Sequence, residues 1–280
     1  MAPGSSPTIR RRELGALLRK LRLDRNMTGD DVTAALLFSP TKLSRIENGQ
    51  SGASPRDIRD LCNLYDVTDP GERERLATLA REGKQRGWWQ NYDLPYAPYV
   101  GLESDASAIS TYNSGAIHGL LQTGDYARAM LQTETPPLAA KEIQQRVEAR
   151  LARQAHLLRA DGPAIHAIFD EAAIRRVVGG PEVMRAQLER ISSTMQLPKV
   201  AVQIIRFEAG AHPAMESIFT LLSFEQDAVR DLVYVEGLVG NIYLERPPDL
   251  LRYRAIFERL CGIALDAGQT QSLLESTSYG

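Results

Sequence analysis

TGDDVTAALLFSPTKLSRIENG, residues 28–49, holds two helical signals and a break between them. Thr28 is a hydroxyl N-cap for a short helix that buries Val32 and Leu36, one turn apart. Ser39-Pro40 then joins an N-cap to a proline at the first helical position, where the missing N–H costs nothing. That signal opens a second helix, which ends before Gly49. Leu43 and Ile46 fall on one side of it, while Thr41, Lys42, Ser44, Arg45 and Asn48 lie largely on the other. A short helix, a tight turn and a second capped helix with one polar face are the parts of a helix-turn-helix.

Outward from this stretch the periodicity stays helical. Leu14, Leu17, Leu18 and Leu21 follow the i, i+3, i+4, i+7 rule and predict a helix over about Arg11 to Leu23. Ser54-Pro55 repeats the cap-and-proline signal, with Ile58, Leu61 and Tyr65 on the inner face of the helix it starts. A fifth helix is expected from about Pro70 to Arg86. Residues 1–86 therefore form an all-α, five-helix domain. Residues 87–101 change character: Trp88, Trp89, Tyr92, Tyr96 and Tyr99 are interleaved with Pro95 and Pro98. This predicts an irregular aromatic connection that packs against something.

Beyond it, helices are expected near 104–112, 123–133, 139–160, 170–178, 181–194 and 248–265. Strand-like runs are Ala164–Phe169, Val200–Phe207, Ile218–Phe224, Leu232–Val235 and Asn241–Leu244, the last two a candidate hairpin. The strands cluster late and few are separated by helices. Residues 102–265 thus read as helices packed on an antiparallel or mixed sheet, and the whole chain as α+β. Residues 266–280, rich in Gln, Ser and Thr, are expected to be a mobile tail.

Composition narrows the class. With 43% apolar and 24% charged residues, the chain can form a packed core. No apolar run is long enough to span a bilayer, and Met1 to Pro7 lacks the apolar stretch of a signal peptide, so a cytoplasmic, nucleoid-associated protein is expected. Cys62 and Cys261 sit in apolar helical patterns and read as buried free thiols. The net charge of -2 hides an asymmetry: residues 1–90 carry 16 Lys/Arg against 12 Asp/Glu, and the rest 17 against 23. A basic end on an acidic body suits a chain that meets phosphate through that end.

The residues of the central stretch, above all Ser-Arg-Ile-Glu-Asn-Gly at 44–49, resemble the phage-repressor, or xenobiotic-response-element, family. The resemblance implies a second helix lying in the major groove of double-stranded DNA, and a structural pair between Arg22 of the first helix and Glu47. It implies that Ser39 holds a phosphate, that Thr41 and Arg45 face base edges, and that Lys42 sits at the groove rim. Asn48 and Arg56 would touch the backbone beyond, and Thr28 joins this DNA-binding set. One departure is Gly29, where the family often has a glutamine. Segments Arg86–Trp89, Gly119–Thr123 with Asp125–Arg128, Asp170–Ala173, Val178–Pro181, Ala209–Pro213 and Val235–Gly237 resemble those of an actinobacterial group of regulators. In that group the helix-turn-helix precedes a C-terminal domain of unknown biochemical function. The resemblance implies a role in development and a small acidic protein partner encoded nearby; the sequence does not decide between a repressor and an activator. Here His118-Gly119 stands where the group usually has Pro-Gly.

An enzyme needs a site, and the sequence supplies none. There is no phosphate-cradling glycine loop, no Gly-x-Ser-x-Gly and no His-Glu-x-x-His. Ser39-x-x-Lys42 lies inside the helix-turn-helix without companion motifs. Glu208, His212 and Glu216 are spaced by four, but Gly210 and Pro213 break the helix that would align them on a metal. Asp170 and Glu171 read as a helix cap and a first-turn acid. No enzyme, catalytic residue, metal or cofactor is therefore expected, and a degenerate enzyme localised by its helix-turn-helix is the alternative. One recognition helix covers few base pairs, so a homodimer on two half-sites is expected. The C-terminal domain is expected to bind a small protein or ligand, with Trp88, Trp89, Tyr126 and His212 as its contacts.

Overall fold

The computed structural model describes residues 6–225 and 229–279; residues 1–5, most of the polar start considered above, lie outside them. The chain divides into two compact units. The first holds the chain up to Asn91 together with Tyr96–Asp105, and the second is chiefly Ala106–Phe224 and the chain from Asp231 onward.

The first unit is all-α. Helices α1 (Pro7–Asp24), α2 (Gly29–Leu36), α3 (Pro40–Glu47), α4 (Pro55–Leu64) and α5 (Pro70–Glu82) follow one another across short turns. Four of them begin the same way. Ser6, Ser39, Ser54 and Asp69 each accept a hydrogen bond from a backbone N–H one turn into the helix, and each is followed by proline. Leu14, Leu18, Val32, Leu43, Ile46, Ile58, Leu61 and Leu76 interlock as a single core. Gly15 lets α1 rest on the end of α3: a Cβ there would lie 2.5 Å from the carbonyl oxygens of Ile46 and Glu47.

Residues 87–101 are less irregular than expected. They form a 3-10 turn at Trp88–Asn91 and enter helix α6 (Ala97–Glu103). The aromatic and proline content masked a helix that proline starts, since Pro98 lies in its first turn. Trp89 is buried, with its ring against Gly87 and Gly101, and Thr8 of α1 crowds the same side of Gly101.

The second unit is a six-stranded mixed sheet covered by helices. Its strands are β1 (Ala108–Asn113), β2 (Ala164–Asp170), β3 (Val200–Ile205), β4 (Phe219–Ser223), β5 (Leu232–Glu236) and β6 (Asn241–Leu244), in the spatial order β3-β2-β1-β4-β5-β6. Strands β1, β2 and β3 are parallel, and β4, β5 and β6 form an antiparallel meander, so the hairpin expected at 232–244 is present. The helix expected over 104–112 is mostly β1. Its Ile-Ser-Thr-Tyr is the β-branched and aromatic run of a strand, and Ile109, Thr111 and Tyr112 are fully buried.

Helices α7 (Gly124–Leu131) and α8 (Ala140–Leu157) cross from β1 to β2, and α9 (Glu171–Arg175) and α10 (Pro181–Thr194) from β2 to β3. Both sheet faces are covered. Ala167 and Phe169 pack with residues of α7, α9 and α10, while the alternate residue Ile168 packs with Phe257 and Leu260 of helix α11 (Pro247–Ile263). The expected mobile tail is instead helix α12 (Ala267–Ser276). Asp266 caps it in a reciprocal box with Gln269, and Leu273 and Leu274 enter the core of α9 and α10. Its polar composition is that of an outer face, and its two leucines turn inward. Cys62 is buried and Cys261 half-buried, both as free thiols.

Candidate nucleic-acid interface

Helix α3 turns Leu43 and Ile46 inward, at 4% and 2% exposure, and leaves Thr41, Ser44, Arg45 and Asn48 exposed. No acidic residue stands in its first turn, so no carboxylate of the helix itself offsets the positive end of its dipole. Ser39 accepts from the Lys42 N–H at 3.1 Å and keeps its own hydroxyl proton to donate. The Asn48 amide donates to Ser44 Oγ at 3.2 Å, which fixes it along the exposed edge.

The helix is locked from beneath. Arg22 Nε and Nη2 donate to the two carboxylate oxygens of Glu47 at 2.7 and 2.9 Å, a bidentate pair only 11% and 8% exposed. Arg22 Nη1 also donates to the Met27 carbonyl at 2.9 Å, so one side chain ties α1 to α3 and to the turn before α2. The hydrogen bonds from Glu47 hold the guanidinium above its ordinary pKa despite burial.

Two of the expected contacts have partners within the protein. Lys42 Nζ is 2.6 Å from Asp57 Oδ1 and 3.8 Å over the Phe38 ring, while its side chain stays 41% exposed. Burial pushes the Asp57 carboxyl up, but hydrogen bonds from Lys42 and Ser54 outweigh it and hold the group below its ordinary value. Thr28 is engaged in a capping box: its hydroxyl donates to Asp31 Oδ2 at 2.6 Å and accepts from the Asp31 N–H at 3.2 Å. Asp30 and Asp31 both stand in the first turn of α2, so a phosphate arriving at Thr28 meets two carboxylates. The N-terminus of α3 suits an anion and that of α2 repels one.

Arg56, at the start of α4, is 83% exposed with Asp60 3.6 Å from its Nε, and stays available to a backbone phosphate. A Cβ on Gly29 would find only Leu43 Cδ2, at 3.9 Å, so the missing glutamine subtracts a side chain without forcing the backbone to differ. Leu37, in the turn between α2 and α3, was missed by the sequence reading. It is 91% exposed at φ 53, a left-handed conformation that costs a leucine energy and that no periodicity reports.

The four residues expected to contact a partner or ligand are divided between the two units. Trp89 is a core residue of the first unit, with Trp88 edge-on to it at 6.0 Å between centroids. Tyr126 is fully buried in the second unit, and its hydroxyl accepts from the Ile117 N–H at 3.2 Å. The His212 side chain is 3% exposed and lies 3.3 Å from the Tyr112 hydroxyl and 3.7 Å from Asp170. Trp89, Tyr126 and His212 are spent on packing, whereas Trp88 is half-buried. Asp170 caps α9 through the Ala172 N–H, and Glu171 is held by Arg175 and Arg206. No helix among the described residues is long and apolar enough to cross a membrane.

Residues 13–76 match the model of a helix-turn-helix domain, and residues 96–276 that of a domain of unknown function, DUF5753. No curated protein and no solved structure matches the chain. The helix-turn-helix match covers α1 from Glu13, all of α2 to α4 and the first half of α5, the part of the chain that holds the exposed polar face of α3. The second match covers more than half of the chain, and the protein therefore belongs to the DUF5753 family, with a DNA-binding helix-turn-helix ahead of the domain that defines it.

Proposed function

We propose that the protein is a sequence-specific transcriptional regulator of the xenobiotic-response-element type. In this reading α3 enters the major groove, and the second unit binds a small protein or ligand that alters DNA binding. The observation that carries the reading is the division of α3. An acid-free polar face of Thr41, Ser44, Arg45 and Asn48 stands opposite a buried apolar face, and the Arg22–Glu47 pair locks the helix. Arg45 reads a base, Ser39 takes a phosphate at the α3 N-terminus, and Arg56 takes another from α4.

Selection from a random duplex pool tests this. The expected result is a motif with preferred bases at several positions, recovered by the wild-type protein and lost when Arg45 is replaced. Enrichment of no motif, with binding that depends on salt alone, would leave only nonspecific phosphate attraction and defeat the reading. Regulation is tested separately, as a change in affinity for the selected duplex when cell extract or a neighbouring small acidic protein is added.

A further inference from the structure

The two edges of the six-stranded sheet are finished differently. At the β3 edge the chain covers itself: the Leu265 N–H donates to the Ile204 carbonyl at 2.9 Å, and the Gln203 amide donates to the Leu265 carbonyl at 2.9 Å. At the other edge β6 pairs with β5 alone, from Glu236↔Asn241 to Val233↔Leu244, and no strand lies beyond it among the described residues. In an edge strand the N–H and C=O groups of alternate residues point away from the sheet and can bond another chain. Such edges are usually blunted by lysine, proline or an inward charge. Residues 237–244, Gly-Leu-Val-Gly-Asn-Ile-Tyr-Leu, hold neither a charge nor a proline. Leu238 and Val239 at the hairpin tip are fully exposed, and Ile242 of β6 and Leu251 of α11 are 56% and 67% exposed.

Charge decides which way a second β6 can lie against the first. A parallel copy in register sets Glu245 and Arg246 each against its own counterpart, and like charges directly opposite are destabilising. An antiparallel copy about a two-fold axis avoids this. Residues opposite each other must point to the same face, so the axis that keeps the pairing within β6 passes through Ile242 or Tyr243. In the first register Glu245 and Arg246 lie across from Val239 and Leu238, in the second from Asn241 and Gly240, all within the uncharged run. Ile242 shares its face with Leu244, which packs into the core that Phe257 and Leu260 of α11 complete. Both registers therefore set apolar side chains of the two copies together on the α11 side, and run each hairpin tip toward the start of the other copy's α11.

We propose that β6 is a dimerisation edge, where two copies of this chain join β6 to β6 in antiparallel pairing and continue one sheet through both. An isologous two-fold contact closes on itself, so the open edge is used up by one partner and does not grow into a fibre. A two-fold pair of chains is also what a pseudo-palindromic duplex calls for. The proposal goes beyond the reading of α3, and its test contains no duplex, so either can fail alone. The test is sedimentation velocity of the full-length protein, which should be a dimer at micromolar concentration.

Ile242→Lys, which gives the edge the charge it lacks, should raise the dimer dissociation constant by about tenfold or more. The double variant Leu238→Ser with Val239→Ser should act in the same direction, and it alters only fully exposed side chains, so the melting temperature should hold. Val177→Lys, at a 53% exposed apolar residue elsewhere in the second unit, should leave the dimer intact. In a Cys261→Ser background, Ile242→Cys or Tyr243→Cys should crosslink two copies on mild oxidation. Leu238→Cys should not, since four or five residues on each side of the axis put it about 26–33 Å from its counterpart. The proposal is overturned if the wild type stays monomeric, if Ile242→Lys and Val177→Lys behave alike, or if Leu238→Cys crosslinks more readily than the other two. A monomer that gains a partner only from cell extract, and loses it with Ile242→Lys, gives the edge to another protein and overturns the self-pairing as well.

Discussion

Arg45 and Arg56 carry the same charge on the same unit, yet their surroundings assign them different work. Arg45 projects from α3 one turn beyond its N-terminus, and Arg56 stands at the first turn of α4, 83% exposed. Arg45→Ala should cost about 1–3 kcal/mol on the preferred duplex and relax the preference at one base position. Arg56→Ala should weaken binding to every duplex alike and reduce the slope of affinity against salt by about one. Anisotropy titrations against the selected duplex and its single-base variants, at several salt concentrations, separate the two; a common effect on base preference would refute the division.

Glu47 belongs to a different kind of residue. It touches no expected base, but its loss strands the Arg22 guanidinium at 11% exposure. Glu47→Ala should destabilise the first unit by roughly 3 kcal/mol, more than it changes base preference. Thermal unfolding followed by circular dichroism checks this, and an unchanged melt would mean that the pair contributes nothing.

At the scale of elements, the position of α3 depends on an absence. Gly15 has no Cβ, and one placed there would overlap backbone carbonyls of α3, which cannot swing aside as a side chain can. Gly15→Ala should therefore cost about 1–3 kcal/mol and lower DNA affinity by tilting α3, although alanine is the better helix former. Retained wild-type stability and affinity would show that the α1–α3 approach is soft. Helix α12 makes a parallel case. A chain ending at Leu265 loses Thr270, Leu273 and Leu274 from the core around α9 and α10. The truncated protein should unfold at lower temperature and expose dye-binding apolar surface, whereas loss of a disordered tail would change neither.

At the scale of the whole molecule, α3 is 8 residues long and can reach only a few base pairs. Useful specificity in a genome needs more, so a second copy of the chain should occupy a second half-site about one helical turn away. The selected motif should be pseudo-palindromic, and sedimentation with the duplex should give two chains per site. One chain per saturated duplex, or protection of a single half-site, would contradict this.

The first unit was legible in the sequence because its signals are local. A cap, a proline and a four-residue apolar spacing act within one turn, and they placed α1 to α5 and the buried faces of Leu43 and Ile46. The resemblance pointed to Arg22 and Glu47, 25 residues apart, which periodicity alone does not connect. The acids at the α2 N-terminus, Asp30 and Asp31, are local to the sequence, whereas the commitment of Lys42 to Asp57, 15 residues on, was decided by tertiary placement. In the second unit the strands from β2 onward can be read from their β-branched runs, but the parallel arrangement β3-β2-β1 cannot, because residues 104–112 read as helix in the sequence and are mostly β1 in the fold. Register and neighbour are set by long-range pairing and by burial on both faces, not by any property of six residues alone.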